Sequence, residues 1–183
     1  CLKPVAKVPF AENVTWGYGN LIENKQIKEM INIEKISTTV SQFLSEGNPD
    51  CNHIYVVNKP PFIGPEVEWH QEFFNINTYA PGYCPHKNFR EFAQIFIALD
   101  KHELENGPLY IFEGSHKEGL LSHEDIISPN LTHKRRVKYE ELKRISLIYK
   151  MKPILLEEGD ALIFNHLLVH GSPTNCSVNR RRA

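Results

Sequence analysis

The sequence predicts a mainly β domain, an antiparallel sandwich or barrel with a helix on its flank. Its 183 residues, 41% hydrophobic and 23% charged, suit one core and are too few for two ordinary domains. Beyond the first fifty residues, short runs rich in β-branched and aromatic residues alternate with turn-forming clusters. We therefore expect a single domain over residues 1–183, with a helical flank at 1–50 and a β core at 51–183.

The flank is predicted to contain one amphipathic helix over residues 33–44. Apolar residues recur there at the spacing that puts side chains on one face of a helix. These residues are Ile33, Ile36, Val40, Phe43 and Leu44. We expect this helix to be structural and to pack its apolar face on the core.

Six strands are predicted in the core, separated by turns rich in Pro, Gly, Asn and Asp. They cover residues 53–58, 68–75, 92–100, 108–112, 146–151 and 160–170. Between the fourth and fifth strands, residues 114–144 show no strand pattern. They include a possible short helix at 139–144. Because long loops in compact domains are usually functional or disordered, we expect a lid-like insertion there.

Several classes of protein are excluded or disfavoured by composition. The formal charge of −1, from 21 basic and 22 acidic residues, provides no basic field for nucleic acid. The apolar runs are far shorter than a membrane span. Four cysteines without closely spaced pairs favour a reduced, cytoplasmic protein. Because the chain begins at Cys1 and stops at Ala183, directly after three arginines, we expect a fragment that lacks terminal elements.

A possible metal site is formed by two histidines and a carboxylate. His70 and Glu72 flank Gln71 in a predicted strand, so their side chains point to the same face. His170 ends the last long strand. Two His and one carboxylate form the facial set that binds non-haem iron(II). His166 is a rival ligand, since residues four apart share a face in a strand and in a helix alike.

The arginines at the end of the chain suggest a second binding group. The turn-rich residues 171–177 should reverse the chain and place residues 180–182 on a strand antiparallel to that of His170. Alternation then separates Arg181 from Arg180 and Arg182. An inward guanidinium near a metal would be a costly unpaired charge unless a carboxylate ligand completed it. Arg180 and Arg182 fit a solvated basic tail.

Motifs along residues 55–183 resemble the phytanoyl-CoA dioxygenase family in order and at similar spacing. The resemblance implies a double-stranded β-helix, which is a jelly-roll or cupin-like fold. It also implies an enzyme that uses iron(II), 2-oxoglutarate and O2. The motifs are Trp69-His70-Gln71-Glu72, Ile97-Ala98-Leu99-Asp100, Glu105-Asn106-Gly107-Pro108-Leu109-Tyr110, Gly114-Ser115-His116-Lys117, Gly159-Asp160-Ala161, and His170-Gly171-Ser172 with Asn175, Ser177 and Arg181.

The same resemblance implies roles for individual residues of this chain. The implied iron ligands and catalytic centre are His70, Glu72 and His170. Arg181 would hold the distal carboxylate of 2-oxoglutarate, with Ser172 assisting. Gln71 would point away from the iron and orient its strand.

Two positions depart from the family pattern. Glu72 stands where the family usually has Asp, and its longer side chain must still reach the metal. Glu113 stands where the family usually has Pro, next to the loop motif. The presence of a carboxylate at position 72 nevertheless favours hydroxylation over halogenation, because halogenating relatives lack it.

The resemblance predicts a dioxygenase that hydroxylates an aliphatic carbon of a small-molecule or carrier-linked substrate, with release of succinate and CO2. Two alternatives stay open: an inactive jelly-roll binding protein that retains the motif, and a zinc-dependent hydrolase or isomerase at the same residues. In the basic run at 133–138, Lys134, Arg135, Arg136 and Lys138 are hypothesised to meet an anionic group of the substrate or its carrier. No nucleic-acid partner and no membrane span are expected, and the sequence predicts no oligomeric state.

Overall fold

The computed structural model describes residues 4–8, 11–18, 21, 24–31, 34–44, 51, 54, 56–72, 92–126 and 135–183. The α-helices among them are α1 (Lys25–Ile31), α2 (Glu34–Ser41) and α3 (Tyr139–Ile148). The strands are β1 (Pro4–Val8), β2 (Ala11–Tyr18), β3 (Val56–Lys59), β4 (Val67–His70), β5 (Ala93–Ile97), β6 (Leu109–Phe112), β7 (His123–Asp125), β8 (Arg135–Val137), β9 (Met151–Ile154), β10 (Ala161–Asn165), β11 (His170–Ser172) and β12 (Arg181–Arg182).

Two four-stranded antiparallel sheets organise the chain, with the orders β1-β2-β3-β12 and β4-β11-β6-β9. β5 and β10 form a separate antiparallel pair without a register shift. The N–H of Leu99, just after β5, donates to the carbonyl of Arg182 (3.0 Å), which links this pair to β12. The mainly β architecture predicted from the sequence is therefore confirmed.

The sheet β4-β11-β6-β9 is covered on both faces, because its side chains alternate between two apolar clusters. The inner cluster includes Leu109 and Phe164, and residues of β5 and β10 pack against it. The outer cluster includes Phe112, Val169 and Ile145, the last of which comes from α3 and is fully buried. We call the corresponding sides of this sheet its inner and outer faces.

The predicted strand at 146–151 is wrong, because its first half, residues 146–148, belongs to α3. The helix continues to Ile148, and β9 begins only at Met151. Leu142, Ile145 and Tyr149 follow the helical spacing of three and four residues and pack into the outer cluster. Burial of this stripe favours helix over the local strand preference of the sequence.

The single strand predicted at 160–170 is also wrong, since two strands occupy this stretch. β10 ends at Asn165, whose Oδ1 accepts the N–H of Leu167 (2.8 Å) and whose carbonyl accepts the N–H of Leu168 (2.9 Å). This turn carries the chain away from β5 and into the sheet with β4 and β6. His166 and His170 therefore lie on different elements.

The stretch at 114–144, in which no strand was predicted, contains the hairpin β7–β8, with His123 opposite Val137. Leu121 and Val137 are buried in the outer cluster. The described part of the stretch therefore covers the outer face of the sheet. Residues 127–134 lie outside the described residues, and the lid-like role stays a prediction.

The flank contains the predicted helix and two strands that were not predicted. α2 lies within the predicted range 33–44, with Val40 buried and Phe43 about half exposed. β1 and β2 add to the edge of β3. The strand predicted at 68–75 ends at His70, and its residues 73–75 lie outside the described residues. No helix in the described part of the chain has the length and apolar character of a membrane span.

One prediction concerns His102, which is buried against the edge of the Phe96 ring (5.4 Å between centroids). Burial and the nearby Arg181 guanidinium lower the pKa of His102 to about 4. The unfolded chain therefore binds the proton more readily than the folded chain between pH 6.5 and 4, and stability falls as the pH falls through that window. For such a shift we expect a loss of about 2 kcal/mol at pH 5 relative to neutral pH.

Replacing His102→Phe keeps an aromatic ring and removes the titration. The free energy of unfolding, measured by urea titration at pH 7.5 and pH 5, should then fall by about 2 kcal/mol less in the variant than in the wild type. Equal losses in the two proteins would contradict this assignment.

Candidate functional site

His70, Glu72 and His170 come together in the structure. His70 ends β4, His170 begins β11, and the register places the two residues directly opposite each other. Glu72 follows in the turn after β4, and its Oε1 lies 3.2 Å from Nε2 of His70 and 3.5 Å from Nε2 of His170. One ligand atom from each residue lies within 4.8 Å of the others. We call these residues the trio.

The backbone fixes the orientation of both imidazoles. Nδ1 of His70 lies 2.6 Å from the carbonyl oxygen of Glu68, and Nδ1 of His170 lies 2.8 Å from that of Leu168. A carbonyl oxygen only accepts, so each Nδ1 is the donor. In the neutral rings, the lone pairs are then on the Nε2 atoms that face Glu72. Metal-binding histidines are commonly held in this way.

The electrostatic environment favours neutral His170. Burial lowers the pKa of this imidazole, and neighbouring His70 lowers it further, while the Glu72 carboxylate acts in the opposite direction. Metal ions bind the neutral form of histidine, so no proton has to be displaced from His170 near neutral pH.

His166, the rival ligand, lies outside the trio. It is buried, with Nδ1 3.1 Å from the carbonyl oxygen of Phe92. Its backbone carbonyl accepts the N–H of Glu72 (2.9 Å). The backbone of His166 thus helps to fix the turn that carries Glu72, and the choice between His166 and His170, which sequence spacing left open, is decided by the turn after β10.

Gln71 points away from the trio, as the resemblance implied. Its buried side-chain amide donates to the carbonyls of Leu167 (2.6 Å) and Gly119 (2.9 Å) and accepts the N–H of Leu121 (2.9 Å). Its own N–H donates to Nε2 of His123 (3.3 Å). Gln71 therefore joins β4 both to the turn that precedes His170 and to the segment on the outer face.

Arg181 is buried on β12, with 1% of its surface exposed. Nε and Nη2 donate to the carbonyl of Gly107 (3.1 and 2.8 Å). Nη1 is also buried and has no hydrogen-bond partner among the described residues. Arg180 is exposed and Arg182 pairs with Asp100 (2.7 Å), so strand alternation separates the three arginines as predicted.

The predicted pairing of the arginine strand with that of His170 is wrong. β12 pairs with β3, and Arg181 lies opposite Lys59. The turn after β11 thus carries the chain into the other sheet instead of forming a hairpin within the same one. Arg181 still reaches the interior, because its guanidinium lies 5.7 Å from the ring centre of Phe96 on β5.

The trio fits a metal ion, and Arg181 fits the carboxylate of a small molecule bound beside that ion. Two imidazoles and one carboxylate suit iron(II) and leave coordination positions open. Nη1 of buried Arg181 has no partner among the residues that the structure describes, and a carboxylate is the natural partner of a guanidinium. The ring centroids of Phe164 and His170 lie 5.0 Å apart, and Phe96 and Phe164 share one face of the β5–β10 pair. The trio and Arg181 therefore border the same interior.

Two buried residues near Arg181 complete this part of the site. Ser172, named in the sequence analysis, is buried on β11. Lys59, which sequence reasoning missed, is 1% exposed, and its Nζ donates to the carbonyls of Ser172 (3.3 Å) and Pro173 (2.5 Å). A lysine beside two prolines is typical of an exposed turn, so no local signal indicates its burial.

The basic segment is largely paired within the protein. Arg135 forms an ion pair with Asp125 (2.5 Å), and Arg136 pairs with Glu124 (2.7 Å) and Glu68 (3.2 Å). These ion pairs brace the β7–β8 hairpin, and the hypothesised contact with an anionic group stays a prediction. Residues 133 and 134 lie outside the described residues.

Comparison with known proteins gives a family match over most of the chain. The sequence model described as "Phytanoyl-CoA dioxygenase (PhyH)" matches residues 9–183. The chain is 36% identical over 95 residues to "Dioxygenase lolE1" of Epichloe uncinata, covering 51% of this chain and 31% of that protein. It is 28% identical over 158 residues to "Probable alpha-ketoglutarate-dependent hypophosphite dioxygenase" of Stutzerimonas stutzeri, covering 85% of this chain and 50% of that protein. The chain thus spans half or less of these relatives.

A solved structure supports the fold. The chain is similar to EctD from S. alaskensis, crystallised with 2-oxoglutarate and 5-hydroxyectoine, with a TM-score of 0.67 and 15% identity. The match covers 97% of this chain and 57% of that chain. At this identity the likeness concerns the fold alone, and it confirms the predicted double-stranded β-helix.

Gln71 supplies a prediction about the metal site. Gln71→Leu leaves the carbonyls of Leu167 and Gly119 and the N–H of Leu121 without their partner, and each group that is buried costs about 1–3 kcal/mol. The strands that carry the trio should then be held less firmly, and affinity for a divalent metal should fall about 10–100-fold. Titration with Co(II), followed by its visible spectrum, measures this affinity.

The matched control is Gln42→Leu, because Gln42 is exposed and distant from the trio in the chain. Its Co(II) affinity should equal that of the wild type. If Gln71→Leu also kept wild-type affinity, the amide would serve stability alone.

Proposed function

The chain belongs to the phytanoyl-CoA dioxygenase (PhyH) family, and from this premise we propose that it is an iron(II)- and 2-oxoglutarate-dependent dioxygenase. It hydroxylates an aliphatic carbon of a small-molecule or carrier-linked substrate and releases succinate and CO2. The observation that carries the proposal is the buried Nη1 of Arg181, which lacks a partner among the described residues and borders the same interior as the trio.

In this proposal His70, Glu72 and His170 hold the iron. When bound, iron(II) and 2-oxoglutarate supply the oxidative chemistry with O2. Glu72 meets the requirement set by its longer side chain, since its Oε1 already contacts both Nε2 atoms. The backbone N–H of Glu72 donates to the carbonyl of His166, which fixes the position of the Glu72 backbone. The departure from the usual Asp is therefore compatible with a metal site.

Arg181 orients the cosubstrate by binding its distal carboxylate. The bonds from Nε and Nη2 to the Gly107 carbonyl hold the guanidinium plane, so Nη1 is preorganised to donate. Ser172, which is buried on the strand that begins at His170, assists from the neighbouring sheet. The Phe96 and Phe164 rings line the space between Arg181 and the trio and exclude water from it. This exclusion strengthens the hydrogen bond between Arg181 and the carboxylate.

The observations also bear on the alternatives. A zinc-dependent hydrolase or isomerase would use the trio but would give Arg181 no carboxylate to bind. An inactive binding protein would keep both features and turn nothing over. We propose the substrate only as a chemical class, because the relatives point to different molecules. One relative is named for hypophosphite, and one solved structure contains 5-hydroxyectoine.

The central experiment follows 2-oxoglutarate binding without oxygen. Iron(II) is added anaerobically to metal-free protein, and 2-oxoglutarate is then titrated while the weak visible charge-transfer absorption of a chelated iron–keto-acid pair is recorded. We expect the absorption in the wild type and its loss in His170→Ala. In Arg181→Ala, half-saturation should need about 10–100-fold more 2-oxoglutarate, because the variant loses a charged hydrogen-bond pair worth about 1.5–3 kcal/mol.

The control variant is Arg180→Ala, since Arg180 is exposed beside the buried arginine. It should titrate like the wild type. Absence of the absorption in wild-type protein that is folded and binds iron would overturn the enzyme assignment in favour of the binding protein. Equal titrations in the Arg181→Ala variant and the wild type would contradict the proposed role of Arg181 in binding the cosubstrate.

A further inference from the structure

Lys59 and Arg181 place two cationic side chains next to each other in the interior. They are register partners on β3 and β12, and each is 1% exposed. Gly107 packs between them, since its carbonyl accepts from Arg181 and a Cβ on it would lie 3.2 Å from Cδ of Lys59. Among the described residues no Asp or Glu is buried. This corner of the protein therefore has a local excess of positive charge.

The surroundings disfavour a charged lysine in the ligand-free protein. Burial lowers the pKa of Lys59 to about 6, and the Arg181 guanidinium adds to this effect, while Glu66 opposes it. The hydrogen bonding is consistent with a neutral amine, which has two N–H groups. The two acceptors in contact with Nζ are the carbonyls of Ser172 and Pro173.

The groups that face Lys59 come from several elements. β12 contributes Arg181, the segment before β4 contributes Glu66, and β11 carries His170 two residues before Ser172. Burial lowers the pKa of His170, which the proposed metal would also keep unprotonated. His102, beside Arg181, has its pKa lowered to about 4 and is therefore neutral near pH 7.

We propose that Lys59 is a positioning residue of the cosubstrate site that is neutral when the site is empty and takes up one proton from solvent when a dicarboxylate binds Arg181. The inference rests on the proposed function. The bound carboxylate neutralises the Arg181 charge that opposes protonation of Lys59. The amine becomes an ammonium, with no other bond formed or broken, and it strengthens its hold on the Ser172 and Pro173 carbonyls.

Proton uptake measures this role directly. Both carboxylates of 2-oxoglutarate are already ionised at pH 7, so the ligand contributes no proton of its own. If removal of the Arg181 repulsion raises the Lys59 pKa by one to two units, about 0.4–0.8 proton is taken up per 2-oxoglutarate at pH 7. Affinity for 2-oxoglutarate should accordingly increase as the pH falls from 8 to 6.5.

The experiment is anaerobic calorimetry of 2-oxoglutarate binding to iron(II)-loaded protein at pH 7, in three buffers with different ionisation enthalpies. The slope of the observed enthalpy against buffer ionisation enthalpy gives the number of protons. Lys59→Met removes the titrating group, and Lys59→Arg keeps a permanent charge in case the Met variant folds poorly. Both should reduce the uptake to near zero and flatten the pH dependence of affinity.

Lys101→Met is the matched control, because Lys101 is an exposed lysine that pairs with Glu157. It should show the wild-type proton number. Binding without proton uptake in the wild type, or uptake that persists in both Lys59 variants, overturns this inference and leaves the proposed function standing. Absence of any 2-oxoglutarate binding by the iron-loaded wild type overturns both.

Discussion

The antiparallel register between β4 and β11 is the constraint on which the site depends. It sets His70 opposite His170, while Trp69 and Val169 turn to the outer cluster. Because side chains alternate along a strand, a slip of one residue would exchange an imidazole for an apolar side chain on the inner face. Packing on the two faces of this sheet therefore specifies the geometry of the trio more strongly than any contact among its three side chains.

Elements outside the sheet keep that register in place. The Gln71 amide donates to the backbone carbonyls of Leu167, before β11, and Gly119, in the segment after β6. The hydroxyl of Ser115 accepts the N–H of Val169 just before His170 (2.9 Å). α3 buries Ile145 against the same outer cluster. The long segment after β6 thus acts, in its described part, as support for the strands that carry the trio. This is the second layer of contacts that metal sites generally need.

Sequence reasoning succeeded where the deciding interaction is local. Strand alternation separated Arg181 from its neighbours, and the prediction that His70 and Glu72 converge was right although Glu72 lies in the turn after β4 and not in the strand. It failed where distant packing decides: the turn after Asn165, the extent of α3, and the burial of Lys59 opposite Arg181. Lys59 lies in a stretch whose local pattern indicates an exposed turn. Only the register between β3 and β12, which are far apart in the chain, turns it into a residue of the site.

The positive charge at this corner links stability to binding. Arg181 and Lys59 are buried where burial disfavours charge, so the folded state carries a cost there that an apolar pair would avoid. A dicarboxylate that binds the folded state alone offsets this cost and stabilises the fold by mass action. The groups that would select the ligand by charge in the proposed function thus make the ligand-free protein less stable than its core would allow. Such a trade between stability and function is typical of preorganised sites.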